Sequence, residues 1–252
     1  MLVAERRELL LRRLQTDGKL IARDLAAELG VSEDSVRRDL RDLAAAGACQ
    51  RVYGGAMPVS AAMADYRSRE VIEPESKQRV AERAAALIHS GDRVILDGGT
   101  TTLAVARSLP ADLTATVVTH SPTIAAALVD HPTVEILLLG GRIYKHSAVA
   151  CGAATVEAAQ AITADLFLLG VTGVHSEHGL TTGDPEEAAM KRALAARAAD
   201  TYVLASAEKL GAVSPYKVLD LHAVNGIVTD AVDGEPVEEL RRAGHNIILA
   251  SG

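Results

Sequence analysis

The sequence of 252 residues contains no tryptophan and only one phenylalanine, Phe167. Its core must therefore be built from aliphatic side chains, which fits a hydrophobic content of 48%. Charged residues make up 23% of the chain, so the composition is that of a globular protein and excludes a disordered one. The length suits one large domain, or a small domain joined to a medium-sized one.

Cysteine and the usual catalytic motifs are also scarce. Cys49 and Cys151 lie far apart and neither has a CxxC partner, which disfavours both a disulfide framework and a zinc site. We expect both thiols to pack as small apolar groups in a reducing compartment. HExxH and GxSxG are absent, and His175 and His178 have no third ligand at motif spacing. We therefore predict no metal site, no cofactor and no catalytic residue.

No apolar run is long enough for a signal peptide or a membrane span, and the N-terminal stretch MLVAERRELLLRRL contains arginine throughout. We expect no contact with a membrane and a cytoplasmic location. The formal net charge is -7, but the charges are unevenly spread. Residues 1–56 hold ten basic and nine acidic residues, whereas the remainder holds 16 basic and 24 acidic residues. This asymmetry predicts two parts with different functions.

The first 56 residues contain three stretches in which apolar residues recur at helical spacing, and each ends at a glycine: Gly18, Gly30 and Gly47. Ser32 precedes the third stretch and suits an N-cap, because its hydroxyl can accept from free backbone N–H groups. The stretch CQRVYGGA that follows is β-like. Three helices, a tight turn at residues 30–32 and a trailing ribbon predict a winged helix-turn-helix domain over residues 1–56.

The third helix carries residues suited to nucleic acid. The helix after the turn of such a domain enters the major groove, and its N-terminal residues meet base edges. Arginine binds guanine in a forked geometry or neutralises phosphates. The predicted DNA-binding residues are Ser32, Ser35, Arg37, Arg38 and Arg41 on this helix and Arg51 on the wing.

Two other interpretations of these arginines stay open from the residues alone. Arg37 follows Glu33 by four positions, and Arg38 has the same spacing from Asp34 and Asp42. Such pairs stabilise an exposed helix by about 0.2–0.5 kcal/mol each, so the arginines can form a solvated face. A helix-turn-helix can also bind protein, although the wing favours DNA.

Residues 57–75 mix proline, serine and charges without a clear period, which indicates a linker, and Arg69 can pack on either domain. Over residues 76–252, helical stretches alternate with short, wholly apolar strands such as RVILD and TYVLAS. Strands without polar alternation are buried on both faces of a parallel sheet. We therefore predict an open α/β sheet domain with helices on both faces.

Small and polar residues follow the predicted strands, and ligands of such sheets bind beyond the carboxyl ends of strands. Glycine N–H groups, hydroxyls and the positive end of a helix beginning near Thr100 suit an anion, and Lys209 or Arg142 can supply a full charge. The predicted phosphate contacts are Asp97, Gly98, Gly99, Thr100, Thr101, Thr102, Gly141, Arg142, Thr172 and Lys209. Each of these features also has a simpler structural explanation. A Gly-Gly-Thr turn, for example, can merely connect a strand to a helix. The GxGxxG and GxxxxGK[ST] fingerprints are absent.

Motifs in both parts resemble one known family. The more specific set is VSEDSVRRDLRDLAAAG followed by RVYGGA. The larger part adds SKQRVAERAAALIHSGDRVILDGGTTT, LLLGGRI, DLFLLGVTGV, GLTTGDPEEAAMKRALAARA and EKLG. Over nearly its whole length the sequence resembles the DeoR-type (deoxyribose operon repressor) family of bacterial transcription regulators.

This resemblance implies sequence-specific binding to a double-stranded DNA operator and a sensor domain similar to ribose-5-phosphate isomerases. It implies a phosphorylated sugar as effector, held by residues 97–102, with Lys77 as a second candidate contact and Lys209 in the same pocket. Glu187 and Lys191 are further candidates, although a surface ion pair explains them equally well. Because one winged helix has a small footprint, we expect a homodimer or homotetramer on repeated half-sites.

Two positions depart from the family pattern. Thr172 and Ser206 stand where its members commonly have aspartate, so each change removes from the pocket a carboxylate that would be the natural general base. This loss argues against the alternative function, a sugar-phosphate isomerase-like enzyme with an accessory helix-turn-helix domain. We therefore predict a repressor of a sugar or carbohydrate operon.

Overall fold

The structure is a computed structural model that describes residues 1–250. The N-terminal domain contains helices α1 (Val3–Asp17), α2 (Ala22–Leu29) and α3 (Glu33–Ala45), with strands β1 (Leu20–Ile21), β2 (Gln50–Val52) and β3 (Gly55–Met57). The strands form an antiparallel sheet in the order β1-β3-β2, in which β2 and β3 are the wing hairpin. The predicted winged helix-turn-helix is confirmed.

Local sequence explains where these helices begin and end. Ser32 caps α3, because its Oγ accepts a hydrogen bond from the backbone N–H of Ser35 at 3.2 Å. Gly18 and Gly30 follow α1 and α2 in the left-handed conformation, with φ of 69° and 62°. The apolar stripes of the helices meet in a core that includes Leu10, Leu14, Leu25, Val36, Leu40 and Leu43.

Residues 58–73 join the two domains, and we call them the interdomain segment. They lie within the predicted linker but contain a 3-10 turn (Ala61–Met63) and helix α4 (Tyr66–Glu70). The segment packs on the larger domain, where Ser60 Oγ donates a hydrogen bond to the carbonyl of Thr172 at 2.5 Å. It is therefore part of the larger domain's wall rather than a simple spacer.

The larger domain alternates helices and strands. Its helices are α5 (Pro74–Ala85), α6 (Thr100–Arg107), α7 (Pro122–Leu128), α8 (Ala153–Gln160), α9 (Pro185–Ala195) and α10 (Glu235–Arg242). Its strands are β4 (Arg93–Leu96), β5 (Thr116–Thr119), β6 (Glu135–Leu138), β7 (Arg142–Tyr144), β8 (Val149–Cys151), β9 (Ala164–Gly170), β10 (Gly173–His175), β11 (Gly179–Thr182), β12 (Ala198–Leu204), β13 (Tyr216–Leu219), β14 (Gly226–Thr229) and β15 (Ile247–Leu249). The predicted α/β class is confirmed.

Seven parallel strands form the central sheet in the order β15-β14-β12-β9-β4-β5-β6. Val94 and Leu96 belong to one buried cluster and Ile95 to another, so the sheet has a core on each face. The strand order reverses between β4 and β9, because β5 and β6 lie on one side of this pair and β12, β14 and β15 on the other. Such a switch point is where open α/β sheets bind ligands.

The expectation that the apolar strands are buried on both faces is wrong for β6. This strand lies at the sheet edge, and Leu137 and Leu138 are 43% and 46% exposed. The remaining strands pair outside the central sheet, as an antiparallel group β10-β11-β13 and a hairpin β7-β8. Between residues 1 and 250, no helix has the length and apolar character that crossing a membrane requires.

Candidate functional site

The turn between β4 and α6 carries the chain to the switch point of the central sheet. Gly98 has no room for a side chain, since a Cβ atom would lie 1.9 Å from Val149 Cγ1. Gly99 has φ of 137°, which favours glycine, and it precedes α6 without a side-chain cap. The N–H groups of the first turn of α6 thus remain uncapped by side chains, and the positive end of the helix dipole favours an anion there.

A cavity that is partly open to solvent lies against this turn. We call it the central cavity. Its walls come from the β4–α6 turn, the end of β9, helix α9, the 3-10 turn after β12 and the interdomain segment. Of the predicted phosphate contacts, residues 98–102, Lys77, Thr172 and Lys209 line it.

Asp97 is fully buried behind the glycine turn and does not line the cavity. Its Oδ2 accepts from Lys191 Nζ at 2.5 Å and from the N–H of Gly170 at 2.9 Å, and its Oδ1 lies 2.9 Å from His120 Nε2. Burial acts to raise its pKa, but Lys191 and His120 together keep the pKa of Asp97 below its usual value. The N–H of Gly98 also donates to Oδ1, at 2.8 Å. Asp97 therefore organises the turn, and both it and that N–H are already paired.

Four cationic side chains line the central cavity: Lys191 is paired with Asp97 and Lys77 with backbone carbonyls, which leaves Lys209 and Arg69. Lys209 is 5% exposed, and its Nζ donates to Thr101 Oγ1 at 3.1 Å. Burial lowers the pKa of Lys209 to about 8. Arg69 of the interdomain segment also lines the cavity, and burial lowers its pKa as well. An anion placed between these groups would compensate both buried charges.

Lys77 reaches the cavity but is not a free cation. Its Nζ donates hydrogen bonds to the backbone carbonyls of Arg69 and Ile72. Lys77 therefore ties the end of the interdomain segment to α5, and its position at the wall supports the segment.

The two departures from the family pattern have different surroundings. Thr172 Oγ1 donates to the carbonyl of Thr181 at 3.1 Å and lies 2.8 Å from Ser214 Oγ. Ser206 Oγ donates to Glu208 at 2.7 Å. Both changes put a hydroxyl where the family commonly has a carboxylate, but Glu187 and Glu208 line the cavity, so carboxylates remain in it. Missing aspartates alone therefore do not exclude acid–base chemistry.

Gly141 and Arg142, two other predicted phosphate contacts, lie outside the central cavity. Arg142 begins the β7-β8 hairpin, where its side chain is 69% exposed and forms an ion pair with Glu186. A Cβ atom at Gly141 would lie 2.0 Å from Thr155 Oγ1, so this glycine serves the packing against α8. The β7-β8 hairpin pairs outside the central sheet, and neither residue lines the central cavity, which the order of strands in the sequence does not reveal.

The predicted DNA-binding residues lie on α3 and the wing. Arg38, Arg41 and Arg51 are exposed and form no ion pair within residues 1–250. Arg37 is exposed too, but its guanidinium binds Glu33 at 2.6 Å. The solvated-face interpretation therefore accounts for one of these arginines and leaves three free for a polyanion.

Four further residues shape the surface of α3 and the wing, and one of them, Tyr53, was not predicted from the sequence. Ser32 and Ser35 lie at the start of α3, and their Oγ atoms are 2.9 Å apart. On the opposite side of α3, buried Asp39 forms an ion pair with Arg6 of α1 at 2.5 Å, which fixes the orientation of the helix. Tyr53 at the tip of the wing is fully exposed. Its place before the glycine pair in VYGG was the only sequence feature that marked it.

His175 and His178 have ring centroids 4.8 Å apart. Within the described part of the chain, no group of three histidine, cysteine, aspartate or glutamate side chains is arranged to hold a metal ion. Cys151 is buried, and burial raises the pKa of its thiol to about 12, so it is a poor nucleophile.

Comparisons with known proteins agree with the two-domain arrangement. Residues 6–61 match the family described as DeoR-like helix-turn-helix domain, and residues 72–231 match the DeoR C terminal sensor domain. The HTH-type transcriptional regulator GlpR of Haloferax volcanii is 33% identical over 98% of this chain and 98% of its own. The HTH-type transcriptional repressor GlcR of Bacillus subtilis is 35% identical over 88% of this chain and 86% of its own.

A third relative, the glycerol-3-phosphate regulon repressor of Escherichia coli, is 27% identical over 86% of this chain and 87% of its own. Among solved structures, ribose 5-phosphate isomerase A of Methanocaldococcus jannaschii has a TM-score of 0.41 and 17% identity over 54% of each chain.

Proposed function

Because this chain belongs to the DeoR family of transcription regulators, we propose that it represses an operon of carbohydrate metabolism and that a phosphorylated sugar in the central cavity releases it from DNA. The family assignment identifies a DNA-binding regulator rather than an enzyme. Our proposal concerns the effector, the residues that contact DNA and the oligomeric state.

The effector proposal depends mainly on the uncapped first turn of α6, which meets two buried cations at the switch point of the sheet. Backbone N–H groups at a helix start, the hydroxyl of Thr101 and the charges of Lys209 and Arg69 suit a phosphate. The glycerol-3-phosphate named for the relative from Escherichia coli belongs to the same class of compound.

The DNA proposal assigns base or phosphate contacts to the free arginines of α3 and to the wing. Arg38 and Arg41 would meet the major groove, and Arg51 with Tyr53 would meet the adjacent backbone or minor groove. One recognition helix covers few base pairs, so we propose a homodimer or homotetramer on repeated half-sites. Sedimentation equilibrium at micromolar concentration tests this, and a single-chain mass would contradict it. We expect a cytoplasmic location, where the DNA of a bacterium or archaeon lies.

Thermal unfolding with a panel of sugars and their phosphates tests the effector proposal. A ligand that binds only the folded state raises Tm, by an amount that grows with its concentration. We expect a rise with at least one sugar phosphate and none with the matching unphosphorylated sugar, which is the control. Equal shifts for both compounds would contradict a phosphate site.

Release from DNA is the second half of the test. A duplex selected by the full chain from a random-sequence pool supplies the probe, and fluorescence anisotropy supplies its Kd. The sugar phosphate that raises Tm should weaken binding to this duplex, whereas the free sugar should not. An effector that binds but leaves the Kd for DNA unchanged would refute the regulatory role.

A further inference from the structure

Two side chains that line the cavity, Arg69 and Glu208, have buried polar atoms without a hydrogen-bond partner among the described residues, and of these Arg69 is the one that supplies donors. Its Nε and Nη2 atoms are buried, and neither has a hydrogen-bond partner among the described residues. The guanidinium lies over the ring of Tyr66, with Cζ 5.9 Å from the ring centre. Leaving buried charged donors unpaired is costly, so such a group is expected to meet an acceptor from a ligand.

The backbone that carries Arg69 is held firmly on the larger domain. The N–H of Tyr66 donates to the carbonyl of His146 at 2.8 Å, and Tyr66 Oη lies 3.1 Å from Thr123 Oγ1. Lys77 binds the carbonyl of Arg69 itself. The guanidinium is thus presented to the cavity by a fixed helix, which favours a binding role over that of a mobile surface side chain.

The same segment leads directly to the DNA-binding domain. Ala62 lines the cavity, and Met57, five residues earlier, ends the wing strand β3. Between them, Val59 pairs with Val213 of the larger domain. The wall of the cavity and the wing are therefore joined by only a few residues of chain.

We propose that Arg69 binds the phosphate of the effector and that this contact transmits occupancy of the cavity to the DNA-binding domain. The inference rests on the proposed function, because it requires an anionic effector. A ligand changes an equilibrium only through contacts that differ between the two states. The N–H groups of α6 and Lys209 belong to the sheet domain, whereas Arg69 belongs to the segment that continues into the wing. Of these contacts, the one to Arg69 lies nearest to the wing along the chain, so we assign the transmitting role to it.

The test compares Arg69→Gln with Arg67→Gln in the full chain. Arg67 lies on the same helix but is exposed, so its variant is a matched control. Inorganic phosphate is the probe, its affinity is measured by calorimetry, and its effect on DNA binding is measured against chloride at equal ionic strength. We expect at least a tenfold loss of phosphate affinity for Arg69→Gln and none for Arg67→Gln. Release of DNA by phosphate should disappear in Arg69→Gln and persist in Arg67→Gln.

Three outcomes separate the claims. If the wild-type chain does not bind phosphate, the proposed effector class fails together with this inference. If the wild-type chain responds and Arg69→Gln responds equally, only the role of Arg69 is overturned. If Arg69→Gln binds phosphate weakly but saturating phosphate still releases DNA completely, Arg69 contacts the phosphate without transmitting its presence. This result would overturn the claim that the contact controls the DNA-binding domain.

A second variant guards against misfolding. Arg69→Lys keeps the charge but loses the fork, so we expect an intermediate phosphate affinity. Because the removed guanidinium atoms have no partner, the Tm of both variants should be at least that of the wild-type chain. A lower Tm for both would show that Arg69 is a structural residue and would contradict the proposal.

Discussion

The two domains use cations in opposite ways. On α3 and the wing, Arg38, Arg41 and Arg51 are exposed to solvent. In the central cavity, Lys209 is 5% exposed and the Nε and Nη2 atoms of Arg69 are buried. The first arrangement suits a long polyanion that displaces counterions, and the second suits one small anion that replaces lost hydration.

This difference separates stability from binding. Removing an exposed arginine leaves the folded state nearly unchanged and affects only its partner. Removing one partner of a buried ion pair, such as Asp97 with Lys191, also lowers the free energy of unfolding, because the other charge then stays buried without compensation. The contrast therefore predicts which variants alter DNA binding alone, which alter stability, and which alter neither.

The largest effect is expected for the triple variant in which Arg37, Arg38 and Arg41 become glutamine. Loss of three contacts to bases or phosphates should weaken binding to the selected duplex about a thousandfold and flatten its salt dependence. Tm should stay within about 2 °C, since these side chains are exposed. Arg107→Gln, an exposed change on α6, is the control. Undiminished DNA binding by the triple variant would remove the basis of the DNA proposal.

Asp97→Asn should have the next largest effect, on stability. The change leaves Lys191 buried without its counterion, which typically costs about 3–5 kcal/mol of the free energy of unfolding. Urea unfolding measures the loss, and exposed Asp112→Asn should change it by less than about 0.5 kcal/mol. Adding Lys191→Met to Asp97→Asn should restore part of the stability. If Asp97→Asn alone were as stable as the wild-type chain, the ion pair between Asp97 and Lys191 would not stabilise the fold as we describe.

A change of about tenfold is expected from the titration of Lys209. Its pKa is about 8, so the lysine is mostly charged at pH 7 and mostly neutral at pH 9. Sulfate keeps a constant charge over this range, and its affinity should fall about tenfold between the two values. Lys209→Met should bind sulfate weakly and without this pH dependence. Equal affinity of the wild-type chain at both pH values would exclude Lys209 as a contact.

The same lowered pKa predicts the pH dependence of stability. Between pH 8 and the unfolded value near 10.5, the unfolded chain binds the proton that the folded chain has lost. The free energy of unfolding should therefore rise with pH over this interval, through the contribution of Lys209. Lys209→Met should lack this contribution, which urea unfolding of both chains can measure.

The smallest effect is expected for Arg142→Ala. Its side chain is 69% exposed and pairs with Glu186 outside the cavity. Sulfate affinity and Tm should therefore equal those of the wild-type chain within error, in contrast to Arg69→Gln. A loss of sulfate affinity of tenfold would show that the β7-β8 hairpin closes over the ligand.

The parts that were predictable from the sequence depend on neighbours in the chain. The cap at Ser32, the stops at Gly18 and Gly30, and the glycine turn before α6 each involve residues within a few positions. Composition and apolar runs also sufficed to predict a sheet between helices.

The parts that were not predictable depend on contacts distant in sequence. Asp97 meets Lys191 from 94 positions away, which changes its role from a ligand contact to a support of the turn. Arg69 comes from an apparent linker, and its burial becomes visible only when that segment packs on the sheet domain. Arg142 follows a predicted strand as the other candidate phosphate contacts do, but β6 is an edge strand, and the β7-β8 hairpin that follows it forms a separate sheet in which Arg142 does not line the cavity.

The most direct measurement is the affinity of the chain for its sugar phosphate in the absence and presence of saturating DNA. Linkage requires that DNA and effector weaken each other's binding by the same factor. We predict a higher Kd for the sugar phosphate on the DNA-bound chain, by the factor that the sugar phosphate imposes on the Kd for DNA. An identical Kd for the free and the DNA-bound chain would contradict the central claim that the cavity controls DNA binding.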